Sequence, residues 1–194
     1  MKRLSLYLFL VLFTLPTPSQ ADDIRDFQIE GISIGDSLLD YFSRKKIEDE
    51  DKLFYPSSKT FYSITPLDRE YEIYEAVSFS LKNDDKNYKI YQLKGSMLFN
   101  NKLNECFKKK DEIVKEISNI SKNLKEENYT NDFAGKAGKS IAYITDFKLS
   151  GGFARAWCTS WDESVKKEKG WGDTLNVDIS SQEYLNWLNN EAYK

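Results

Sequence analysis

Residues 153–161 constrain the fold more than any other stretch, because their alternate positions form two sets that cannot be exchanged. Ala154, Ala156, Cys158 and Ser160 fall on one face of a strand. Phe153, Arg155, Trp157, Thr159 and Trp161 fall on the other. The small side chains of the first face let a helix lie close. One segment supplies such a helix. Leu103, Cys106, Phe107, Ile113, Val114, Ile117, Ile120 and Leu124 recur at three- and four-residue steps, a continuous apolar stripe that turns Cys106 toward the core. Cys106 and Cys158 are the two cysteines of the chain. In an oxidising compartment they are expected to join, fixing the helix to the small-residue face.

The start of the chain points to such a compartment. Met1, Lys2 and Arg3 precede an apolar run over residues 4–15, followed by Pro16, Pro18 and Ser19-Gln20-Ala21. This is the pattern of a secretory signal peptide over residues 1–21, cleaved after Ala21 to leave a single mature domain, 22–194. As a helix the apolar run would rise about 18 Å, short of the ~30 Å hydrocarbon core. With no cysteine at the cleavage site, a bacterial lipid anchor is not indicated. No later segment is long and apolar enough to span a bilayer, so the mature protein is expected to be periplasmic or secreted, with no membrane span.

At 194 residues, 40% hydrophobic and 30% charged, the chain can build a real core. The absence of histidine excludes Ser-His-Asp and Cys-His catalysis, an HExxH zinc site and an imidazole pH switch. Two cysteines exclude a four-cysteine zinc site and a cubane cluster. The net charge of −3 becomes more negative once Lys2 and Arg3 leave, which argues against nucleic acid as a partner. The runs Lys108-Lys109-Lys110 and Lys166-Lys167 are flanked by acids and read as solvated faces. Glu48-Asp49-Glu50-Asp51 lacks the glycine and the spaced carboxylates of a calcium loop and reads as a solvated loop. No metal site and no cofactor follow from the sequence.

Along the mature chain, residues 26–34 alternate as a short strand broken at Gly31. Gly35-Asp36-Ser37 predicts a turn and the cap of a short helix with Leu38, Leu39, Tyr41 and Phe42 inside. Strands are predicted at 59–64, 71–82 and 88–99, with 83–87 as a polar hairpin loop. Tyr71, Ile73, Val77, Phe79 and Leu81 share one face of the second. The long helix, capped by Asn100 or Asn101, follows. Residues 125–139 have no period and predict a mobile loop. Strands are predicted at 141–149, at 153–161 after the turn Ser150-Gly151-Gly152, and at 173–179. Ser180, three residues before Glu183, predicts a capping box for a last helix with Tyr184, Leu185 and Leu188 inside. The fold class is therefore α+β: an antiparallel sheet with helices packed on one face, a loose helix-plus-three-strand twofold repeat, and one disulfide.

Two motifs carry no function on this reading. Gly135-Lys136-Ala137-Gly138-Lys139-Ser140 resembles the end of a phosphate loop, but Phe133 stands where that motif needs glycine and a strand follows where it needs a helix. Asn119-Ile120-Ser121 and Asn128-Tyr129-Thr130 matter as glycosylation acceptors only in a eukaryotic secretory route.

The aromatic strand face is the sharper feature. Phe153, Arg155, Trp157 and Trp161 are the candidate binding residues, since aromatics and arginine dominate interface energetics. Arg155 can stack on Trp157 or fork onto a carboxylate. If covered by other segments, the same aromatics are ordinary core. Gly170-Trp171-Gly172 offers a further loop tryptophan. The sequence thus reads as a non-catalytic domain binding an envelope protein or small ligand. The alternative is a carboxylate-dependent hydrolase acting on a glycan near Asp162 and Glu163, beside the sugar platform of Trp161.

The stretch Phe27-Gln28-Ile29-Glu30-Gly31-Ile32-Ser33-Ile34-Gly35-Asp36-Ser37-Leu38-Leu39, the segment Tyr88-Lys89-Ile90-Tyr91, residues 106–117 and the ending 187–194 resemble a family of small exported proteins of Pelagibacter-type marine alphaproteobacteria. The resemblance covers most of the mature chain. It implies a bacterial origin and hence the periplasm. No activity and no site residue come with it.

Overall fold

The computed structural model describes residues 23–120, 124–133 and 138–194. The leader and residues 135–137 of the glycine motif at 135–140 lie outside the described residues. The described chain opens on a small hairpin, β1 (Gln28–Ile29) and β2 (Ile32–Ser33), then a 3-10 turn at Leu38–Asp40 capped by Ser37, then α1 (Arg44–Asp49). Four strands follow: β3 (Leu53–Phe54), β4 (Phe61–Ile64), β5 (Ala76–Lys82) and β6 (Ile90–Asn100). The long helix α2 (Leu103–Ile120) leads to β7 (Lys125–Asp132), β8 (Ile141–Leu149) and β9 (Gly152–Ser160). A short helix α3 (Glu163–Lys169), β10 (Asp173–Ser181) and α4 (Gln182–Asn190) complete it.

The fold is α+β. One eight-stranded sheet runs in the order β3-β4-β5-β6-β10-β9-β8-β7, every neighbouring pair antiparallel. Each half is a helix followed by a four-stranded meander, and the halves meet where β6 pairs with β10. The repeat thus has one more strand per half than the sequence shows, and the additional strands are the two edges.

Periodicity explains both what was legible and what was not. On β8 and β9, alternation buries Phe147, Leu149, Ala154, Ala156 and Cys158 on the face that receives α2. Cys106 and Cys158 are joined, with Cα atoms 6.1 Å apart, and Ala154 and Ala156 beside them are fully buried. Gly152 lets the N-terminal turn close on the sheet, because a Cβ there would meet the Ser180 carbonyl oxygen at 2.1 Å and Ile24 Cδ1 at 2.4 Å. By contrast, residues 125–132 form a strand where a loop is predicted. All eight residues of β7 are exposed, so neither face carries an apolar rhythm to read.

Three further expectations need correction. The second long strand begins at Ala76, not at Tyr71, and Ile73 is 57% exposed. The Glu30 carboxylate takes the Glu72, Ile73 and Tyr74 N–H groups at 2.9, 2.8 and 3.1 Å, which removes them from sheet pairing. The last helix is capped by Ser181, whose hydroxyl accepts from the Tyr184 N–H, and not by a Ser180–Glu183 box. Strand pairing continues through Ser181 opposite Gly152, so Ser180 is still inside the sheet and donates to Asp178. Finally, the helices are divided between the faces. Phe61 alternates with Tyr62 on β4 and packs with Tyr91, Tyr184 and Trp187, so α4 lies on the face opposite α2.

Candidate functional site

α4 covers one corner of its face, from the ends of β9 and β10 to β6 and β4, and leaves the tryptophan end uncovered. The strand registers fix what that open face presents. Across β8, β9, β10 and β6, Asp146, Arg155, Asp178 and Lys94 stand in one row. The next row is Ile144, Trp157, Asn176 and Ser96, and the one after it ends on Thr159, Thr174 and Leu98. The buried partners on the α2 side are Leu175, Val177 and Ile179, so side chains of β10 alternate between the two faces, with Asp178 and Ser180 buried on the other.

The candidate residues of β9 divide between two grooves. Phe153 and Arg155 line a groove of about 460 Å³ bounded by Asp146, Asp178 and Ser180 below and by Leu185 and Leu188 of α4 above. Arg155 forks onto a carboxylate, as one of its two expected roles requires: Nε donates to Asp146 Oδ1 at 2.6 Å and Nη2 to Oδ2 at 2.8 Å. Nη2 also donates to the Tyr129 hydroxyl at 2.8 Å, and that hydroxyl donates to Asp146. The ring beneath the guanidinium is Phe153, 5.0 Å away, rather than Trp157. Burial pulls the Arg155 pKa down, but the bonds and charge of Asp146 outweigh it, and the net shift is upward.

Asp178 is the residue that sequence reading missed. It is 7% exposed, and its carboxylate accepts from Gln92 Nε2 at 3.0 Å and from Ser180 Oγ at 2.9 Å. Burial pushes its pKa up more strongly than these bonds and the nearby Lys94 and Arg155 pull it down. The signal for it was present in the polar run Thr174, Asn176, Asp178, Ser180 at every second position, opposite the apolar run 175–179.

Trp157 and Trp161 line a second groove, of about 490 Å³, with Leu98, Phe133 and Trp171. The aromatic residues are half-buried or exposed, and the groove sits outside the main core. Trp161 lies between Phe133, stacked at 5.3 Å, and Trp171, tilted at 4.7 Å. Trp171 is 48% exposed and Leu98 55% exposed. The floor is polar, built from Thr159, Thr174, Asn176 and Lys94. Phe133 and Leu98 come from distant parts of the chain, and only the strand order brings them to Trp161.

Asp162 is held by structural bonds. It caps α3 by accepting from the Ser164 N–H at 2.9 Å, and it accepts from the Lys139 N–H at 3.0 Å. The Ser164 hydroxyl bond, then these N–H bonds, lower its pKa. Glu163 is exposed and pairs with Lys166 one turn on. Among the described residues no cluster of three or more acidic residues or cysteines is placed to hold a metal ion. None of their helices is long and apolar enough to cross a membrane. Comparison with protein-family models, curated proteins and solved structures finds no match.

Proposed function

We propose that the protein is an exported, non-catalytic binding domain that takes an envelope protein or small ligand on the open sheet face, chiefly at the tryptophan groove. One observation carries this reading: Trp157, Trp161 and Trp171 gather with Phe133 on a face that α4 leaves uncovered. Rings in such a position offer large contact area at low conformational cost. Arg155 serves the face by anchoring β8, through Asp146, and β7, through Tyr129, to β9. The disulfide supports export, since such bonds persist in oxidising compartments. The resemblance to exported marine alphaproteobacterial proteins supports the periplasm as the destination.

The test is thermal unfolding of the disulfide-bonded protein in the presence of fractionated envelope extract. A fraction that raises the midpoint of the wild type and leaves that of Trp171→Ala unchanged supports binding at this groove. If every active fraction moves both proteins equally, ligand engagement lies elsewhere and the reading fails.

A second reading, hydrolysis of a glycan, draws on Asp146 and Asp178 rather than Asp162. They flank Arg155 on adjacent strands, two strand spacings or about 10 Å apart. Asp146 is bound by a guanidinium and Asp178 has a raised pKa, the division of roles an inverting acid–base pair needs. Release of reducing ends from a glycan by the wild type, abolished in Asp178→Asn, would favour it over binding alone.

A further inference from the structure

The open face has a chemistry of its own between the tryptophan groove and β3. Next to Trp157 stands Asn176, whose Oδ1 accepts from Ser96 Oγ at 2.8 Å and whose Nδ2 donates to Thr174 Oγ1 at 3.2 Å. Beyond Lys94 comes Ser78, whose hydroxyl bonds that of Thr65 at 2.8 Å. Lys94 lines both the tryptophan groove and a third groove of about 460 Å³ that ends at Tyr55. The two grooves therefore adjoin at Lys94 of β6. From β9 to β4 the strip covers four strand spacings, about 19 Å.

We infer that the ligand of this face is an oligosaccharide, bound with pyranose rings against Trp161 and Trp171 and its chain laid across β10 and β6. This deepens the binding reading above and rests on it. A pyranose has a flat C–H face that matches an indole ring, and hydroxyls around its rim that need donors and acceptors in plane. The groove supplies both: aromatic walls and a floor of hydroxyls and one amide. Ser96, Asn176 and Thr174 hold one another in place, yet each hydroxyl keeps a lone pair for a ligand. A lipid or alkyl chain would desolvate the remaining hydrogen-bonding capacity of Thr174 and Asn176 and offer it no partner. A nucleotide or other polyanion would find Lys94 as the single cation among the described residues lining the tryptophan groove. The length of the strip fits several sugar units rather than one.

The experiment is a titration of the disulfide-bonded protein with cellohexaose, chitohexaose, laminarihexaose and maltohexaose, each to millimolar concentration. It is read by tryptophan emission and by calorimetry. At least one hexasaccharide is expected to shift the emission and release heat with a micromolar to millimolar Kd. Trp171→Ala is expected to weaken that affinity about tenfold or more. Asn176→Ala is expected to weaken it with the indoles intact, which separates the floor from the walls. Both variants are checked for an unchanged thermal midpoint. The inference is overturned if no hexasaccharide gives heat or an emission change. It is equally overturned if Trp171→Ala binds as the wild type does. An extract fraction that stabilises the wild type alone, in a protein deaf to all four sugars, leaves the groove a binding site and removes the saccharide. A protease-sensitive ligand in that fraction identifies a protein partner instead and also overturns the saccharide assignment.

Discussion

Glu30 sits at φ 55° and Gly31 at φ 74° in the two-residue turn between β1 and β2, a backbone state that suits the hairpin twist but strains a glutamate. Its carboxylate offsets that strain by accepting three consecutive N–H groups from residues 72–74. Burial raises its pKa, but those bonds and Arg69 prevail and the net shift is downward. Glu30→Ala is expected to cost about 1–2 kcal/mol in urea unfolding near neutral pH. A carboxylate with a depressed folded pKa stabilises above its ordinary value of 4.5 and loses that contribution as pH falls through the folded value. The gap between wild type and variant should therefore close in acid. Asp178 runs the other way. Its folded pKa lies above the ordinary 3.8, so its ionisation costs stability as pH rises through the folded value. Asp178→Asn should raise the thermal midpoint at neutral pH and leave it nearly unchanged in acid. An equal shift at both pH values would show that the buried charge is not the cause. A residue that holds down stability in the middle of an open groove is where a functional demand would be expected.

Among elements, legibility followed burial. The pair β8 and β9 could be read from sequence almost to the residue, because one face is core and Gly151 at φ 83° marks the turn. The edge strand β7 could not, since water on both faces selects no alternation, and β3, two residues long, is too short to show one. Ser180 and Ser181 are equivalent as cap residues in sequence. Only the continuation of the β9·β10 ladder decides between them. Half of the candidate site was visible in the same way: Trp157 stands on an alternating strand and Trp161 directly follows it, whereas Phe133 and Leu98 join them through long-range pairing. The disulfide acts on this scale as well. It closes a span of 52 residues between α2 and β9. In the chain-entropy model such a loop restricts the unfolded state by about 4 kcal/mol. A Cys106→Ala/Cys158→Ala variant should lose up to that much in urea unfolding while keeping the strand content of the wild type. Loss of the sheet itself would mean that the bond organises α2 docking rather than only limiting the unfolded chain.

At the scale of the molecule, the two meanders share a single seam. β10, the strand nearest the C-terminus, pairs with β6 on one side and β9 on the other. Six of its nine residues are buried. A chain ending at Gly172 keeps the first meander and three strands of the second but leaves β6 and β9 with bare interior edges. It should show no cooperative urea transition and should aggregate, where wild type unfolds in one step. The position of that strand has a bearing on timing. A polypeptide that emerges N-terminus first delivers this seam strand after the other nine strands. Until then neither half has its neighbour, and the eight-stranded sheet cannot close. The strand order itself would thus delay closure of the sheet during synthesis, and the arrival of β10 would set the moment of folding.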